Sequence, residues 1–206
     1  MWNKEYTLNA LGLPEKIIND GAPQLSGPIQ LEAVVSGSTQ TVEAGAPKLD
    51  EKLSDNAGVA RLEGAADLGD LEFFTETRVE MDGFVYNKMT ITPDQPVQLD
   101  RLSVVVRMPK SEGQLFVTTA GGWTSTYGWT PERWTSKETS SGGRTVNFVP
   151  YTFLTDSDRG FCMFADNEKG WILDPDAATQ EIMHDGDEVV LRWNLVTRSG
   201  TVSEPF

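Results

Sequence analysis

The 206-residue sequence contains one cysteine, Cys162. No intramolecular disulfide can form, and a cysteine-built zinc site is excluded. It also contains one histidine, His184. Metal centres that need two histidines are therefore excluded, and a Ser-His-Asp triad would have to run through that single imidazole. No metal and no cofactor is expected. Apolar runs are short, and none approaches the roughly 20 residues that cross a bilayer as a helix. The opening Met1-Trp2-Asn3-Lys4-Glu5-Tyr6 has no apolar h-region, so no secretory leader is read there. The sequence has no Gly-rich phosphate loop, no Gly-x-Ser-x-Gly elbow and no zinc-protease histidine pair.

Positive charge is scarce too. Seventeen Lys and Arg face 31 Asp and Glu, for a net charge of -14. Such a surface repels phosphate backbones and anionic membranes, and no Lys/Arg cluster in the sequence reverses it. No nucleic-acid or membrane partner is expected. Polyanionic glycans are disfavoured for the same reason, except at a local basic patch. With 38% hydrophobic and 23% charged residues, a folded, core-forming chain is expected.

The dominant pattern is alternation at period two. Leu71, Phe73, Val79 and Met81 fall on one side of residues 71–81, and Glu72, Glu76, Arg78 and Glu80 on the other. Asp82-Gly83 follows, then a second alternating run over 84–91, which reads as a hairpin. Further strands are read at 28–35, 102–108, 160–165 and 189–196. Nineteen Gly and eleven Pro punctuate these runs, with turn signals at intervals of about ten residues, as in β-sandwiches. Residues 44–58 and 120–145 read as loops, and 175–181 as one short helical turn. The expectation is an all-β, large antiparallel β-sandwich of supersandwich type with little helix, filling residues 1–206 as one domain.

The stretch from Trp123 to Trp134 concentrates aromatic residues. Trp123, Tyr127, Trp129 and Trp134 stand within twelve residues, among Gly, Ser and Thr. Flat rings that offer apolar faces and a polar edge suit the apolar faces of sugars, and these four are the candidate carbohydrate-binding residues. The alternatives are that the same rings pack the end of the sandwich or meet a neighbouring domain. Other chemistry is weaker. Asp156 and Asp158 could begin a calcium loop, but the remaining ligands are missing and a turn is the plainer reading. Acids such as Asp166, Glu168, Asp174 and Asp176 are numerous, but no spacing singles out a glycosidase pair. His184, in Met183-His184-Asp185-Gly186-Asp187, reads as a solvated turn residue, and Cys162 as a core thiol. No catalytic residue is assigned.

Several phrases together resemble glycoside hydrolase family 123. They are Trp2-Asn3-Lys4-Glu5-Tyr6, Leu11-Gly12-Leu13-Pro14, Leu25-Ser26-Gly27-Pro28-Ile29, Met81-Asp82-Gly83-Phe84 and Leu99-Asp100-Arg101-Leu102. The run from Phe148 to Trp171 is similar to that family's phrase F-x-P-x-x-W-L-x-D-x-D-R-G-L-x-W-F-A-E-x-D-x-G-W, with Phe153 and Met163 at two of its Trp positions and Asp166-Asn167-Glu168 in place of Glu-Ser-Asp. The resemblance implies an N-terminal β-sandwich beside a TIM-barrel catalytic domain similar to that of β-N-acetylgalactosaminidases. The barrel's Asp-Glu pair has no counterpart here, because the sequence stops at Phe206, where the sandwich would be ending. The expected role is a non-catalytic accessory domain that supports a catalytic neighbour and contacts glycan through the Trp-rich stretch. The alternatives are a stand-alone carbohydrate-binding module, an enzyme using a carboxylate pair, or a structural domain with no ligand. The resemblance also implies a secreted or periplasmic parent protein engaged in polysaccharide degradation.

Overall fold

The Leu71–Glu80 run alternates because one side of it is covered. In the computed structural model, which describes residues 3–49, 58–119, 125–138, 140–141, 144–145 and 148–206, Leu71, Phe73, Thr75, Thr77 and Val79 of this run are buried and Glu72, Phe74 and Glu76 are exposed. The run is the third strand of a four-stranded antiparallel sheet: β6 (Lys48–Leu49), β7 (Val59–Leu68), β8 (Leu71–Glu80) and β9 (Val85–Pro93), in that order. At the tip between β8 and β9, the Asp82 carboxylate accepts the Phe84 N–H at 3.0 Å and Gly83 takes φ 96°, so the Asp-Gly pair turns the chain as its chemistry requires. Met81, expected on the buried side, belongs to this turn and is exposed.

Three more sheets complete the second layer and the spine. A small sheet carries β1 (Lys4–Leu8), β2 (Pro14–Asn19) and β3 (Ala22–Pro23). The largest has seven strands. Six run in the order β13 (Arg133–Thr135), β18 (Gln180–Asp185), β19 (Glu188–Val196), β10 (Val97–Pro109), β4 (Gln30–Val35) and β5 (Ser38–Thr41), and β20 (Gly200–Val202) pairs with β10. The fourth holds β12 (Ser125–Trp129), β11 (Leu115–Thr119), β16 (Tyr151–Thr155) and β17 (Gly160–Phe164) in that order. A short ribbon joins β14 (Ser140–Ser141) and β15 (Arg144–Thr145). The helical content among the described residues is one 3-10 turn, Ser136–Glu138. The fold is the expected all-β, sandwich-like antiparallel architecture.

The core lies where the large sheet faces the others. On its inner side Val104 pairs with Trp193, Val106 with Leu191 and Met108 with Val189, all of them buried. Trp171 closes the core end, with its ring edge-on to Trp193 at 5.9 Å and to Phe148 at 5.5 Å. On the other side polar groups pair across strands: Ser103 Oγ donates to Asn194 at 2.7 Å, and Arg192 meets Glu32 at 3.2 Å. The N-terminal sheet is tied to the 71–93 hairpin by Tyr6, whose hydroxyl donates to the Gly83 carbonyl, and by Asn87, whose amide donates to the Leu11 carbonyl.

Four local expectations change. Residues 120–145, expected as loop, supply β12, β13 and the β14–β15 ribbon, because Thr and aromatic residues there have strand partners in β11 and β18. Lys48–Leu49, in the expected 44–58 loop, pairs with β7. Residues 175–179 form turn and bend, and the Asp174 carboxylate, which accepts the Asp176 N–H at 2.8 Å, holds the turn without a helix. Cys162 is exposed, since Phe161 and Met163 take the inward positions of β17 and leave the thiol outward.

Candidate aromatic ridge and binding surface

Strand β12 is an edge strand, paired with β11 on one side only. Tyr127 and Trp129 are two residues apart in it, so they stand on the same side of the sheet. That side faces out: Tyr127 is 77% exposed and Trp129 75%. The opposite side of the sheet is the core side, with Phe116, Thr118, Thr152 and Leu154 buried. Between the two rings Gly128 takes φ 152°, a backbone conformation that L side chains rarely adopt.

The ridge has a polar border. Behind Trp129 a shallow depression of about 330 Å³ is lined by Lys110, Ser111, Gln114 and His184. The chain leaving Trp129 is pinned there: the Thr130 N–H donates to the Gln114 carbonyl at 2.8 Å, and its hydroxyl to the Gly113 carbonyl at 2.7 Å. His184 is not the solvated turn residue that its neighbours suggested. It lies on β18 with a side chain only 13% exposed, and its Nδ1 sits 3.0 Å from Oε1 of Glu132. The nearby imidazole holds the Glu132 carboxyl below the usual carboxylate range. Lys110, Ser111 and Gln114 thus bring a cation, a hydroxyl and an amide beside an exposed indole.

On the other side the ridge continues into apolar surface. Tyr127 is opposite Val117, Val117 opposite Phe153, and Phe153 opposite Cys162, so this row crosses all four strands on the outward side. The Phe153 ring lies across Gly160, where an added Cβ would meet it at 2.6 Å. The alternating Tyr151-Thr152-Phe153-Leu154-Thr155 run carried the signal for this row, since a half-buried strand with a buried Leu154 leaves Tyr151 and Phe153 outside.

The four candidate residues do not converge. Tyr127 and Trp129 form the ridge. Trp123 lies outside the described residues. Trp134 is a correction: it sits on β13, is 2% exposed, and packs its ring 5.7 Å from that of Phe116. Arg133 and Thr135 take the outward positions of that short strand, and the indole fills the gap between two sheets. The Asp156 carboxylate accepts the N–H groups of Asp158 and Arg159 at 2.6 and 2.7 Å, which is a capped turn, and no cluster of three metal-ligating side chains occurs among the described residues.

A search among curated proteins gives no match for this chain. Residues 1–141 match the family model described as glycoside hydrolase 123, third domain. That description makes the matched unit a third domain, where the resemblance in the sequence implied an N-terminal one, and the Phe148–Trp171 phrase falls beyond the matched span. Because the match covers more than half of the chain and the all-β fold agrees with it, this chain belongs to the glycoside hydrolase 123 third-domain family.

Proposed function

We propose that this chain is a non-catalytic accessory domain of a glycoside hydrolase, and that it contacts glycan through Tyr127 and Trp129. The observation that carries the reading is the pair of aromatic rings held on the outward side of one edge strand. Exposed indole and phenol faces carry large apolar area that gains from burial against a sugar ring, while their edges and the Gln114, Lys110 and Glu132 groups offer hydrogen bonds to hydroxyls. The domain's second task is to support a catalytic neighbour, in keeping with its family.

The test is a glycan array probed with the parent chain, Tyr127→Ala and Trp129→Ala. Binding to neutral oligosaccharides that both substitutions weaken supports glycan contact. The competing reading is a docking domain without a ligand of its own, and the apolar row from Val117 to Phe153 beside the ridge favours it. It predicts an empty array, together with protection of Trp129 from acrylamide quenching once the catalytic neighbour is added.

A further inference from the structure

A cleft of about 690 Å³ opens between the N-terminal sheet, β9 and β17. Its floor reaches the core at Ile91, Val104 and Trp193. Trp193 is 1% exposed and its indole N–H has no hydrogen-bond partner, so an unmatched donor sits at the bottom. Phe84 and Phe164, with ring centroids 5.1 Å apart, form one wall. Asn87 and Asn167 add amide groups.

The charge of the lining is inverted relative to the chain. Lysines 4, 88 and 169 line the cleft with one acidic side chain, Asp166, and the last residue, Phe206, in a sequence with 31 acids and 17 bases. Lys88 is paired with Glu76 at 3.0 Å. Neither Lys4 nor Lys169 has an acidic partner within ion-pair distance among the described residues. Two free ammonium groups over an aromatic-walled cleft attract an anion, and the remaining field of the molecule makes that preference local to this place.

We infer that this cleft binds an acidic sugar unit, a hexuronate or a sulfated hexose, with its ring against Phe84 and Phe164 and its anionic group at Lys4 and Lys169. Neither Tyr127 nor Trp129 lines this cleft, so either site can fail while the other stands; the sugar class rests on the family to which the chain belongs, and the charge on the cleft alone.

Amide chemical shifts of the whole chain, titrated with glucuronate, glucose 6-sulfate and glucose, test it. The expected result is saturable movement of the Gly83, Phe84 and Gly170 signals with the two charged sugars and none with glucose at the same concentration. Lys4→Gln with Lys169→Gln should weaken this by about tenfold or more, and Trp129→Ala should leave it unchanged. If the double variant fails to fold, Lys169→Gln alone, at an exposed turn position, carries the same expectation of weaker binding. Equal response to glucose, or undiminished binding by a folded variant, overturns the proposal. So does inorganic sulfate or a glutamate peptide that reproduces the shifts at equal concentration, since either means a general anion site.

Discussion

Gly64 has no room for a methyl group. A Cβ added there would stand 1.4 Å from the carbonyl oxygen of Ala10, a backbone atom that cannot move aside. Gly27 is the contrasting position, with nothing within 4 Å of an added Cβ. Gly64→Ala should therefore lower stability by about 3 kcal/mol or abolish folding, while Gly27→Ala should change it by no more than about 0.5 kcal/mol, and urea midpoints of the two variants check this. Neither fate is written in the sequence, where both are ordinary glycines beside polar residues. The same holds for Trp134 and Trp129. Both occur in one Trp-rich stretch, and composition alone marked them as alike. What separates them is strand parity and which partner each strand takes, β18 for Trp134 and β11 for Trp129, and such pairing is a long-range property.

Among elements, the β16–β17 turn shows how side chains fix a strand connection. Asp156 accepts two backbone N–H groups, and these hold its carboxyl below the usual range. A carboxyl so held favours the fold while ionised. The contribution is present above the ordinary carboxylate pKa of about 3.9 and is lost as pH falls through the depressed folded value. Asp156→Ala should thus cost stability at pH 7 and much less at pH 2, measured as the gap between parent and variant urea midpoints. A gap that is the same at both pH values would contradict this account of the turn. The neighbouring Arg159 reaches Glu112 at 2.7 Å, tying the turn to the β10–β11 connection through two mostly covered side chains. Removing either partner strands the other. Arg159→Ala should cost about 1–3 kcal/mol, and a double-mutant cycle with Glu112→Gln should show coupling of the same sign.

Strands were legible where one side of the element is dry and the other wet. The 71–81 run and its Asp-Gly turn are readable for that reason, as is Val189–Val196, whose buried residues dominate. β7 was not, because Val59-Ala60-Arg61-Leu62-Glu63-Gly64-Ala65-Ala66 mixes small residues without a clean alternation. β12 and β13 were read as loop for a similar reason. Their Gly, Thr and Ser are turn-forming residues in isolation, and only the partners in β11 and β18 make them strands.

For the whole molecule, the charge of -14 sets a simple expectation. Self-repulsion in the compact state is screened by salt, so the melting temperature should rise between low ionic strength and about 0.15 M salt and then level off. A melting temperature that falls over that range would mean the surface ion pairs outweigh the repulsion. The charge read from composition also argued against acidic glycans, and only the folding that gathers Lys4, Lys88 and Lys169 around one cleft creates a local exception. The family was legible in the sequence through its phrases, because they are turn and core signals that the fold itself demands. The ridge was legible only in part: Tyr127 and Trp129 are exposed and Trp134 is buried, and nothing in the sequence places Glu132, His184 or Gln114 around the ridge.

The central claim is that Tyr127 and Trp129 are a contact surface for sugar. A fluorescence titration of the parent chain with neutral oligosaccharides, run beside Trp129→Ala and Trp134→Phe, tests it most directly. The account predicts a saturable change in the parent, its loss in Trp129→Ala, and its retention in Trp134→Phe, whose ring is internal. Saturable binding that persists in Trp129→Ala, or no binding at millimolar sugar by the parent, would contradict it.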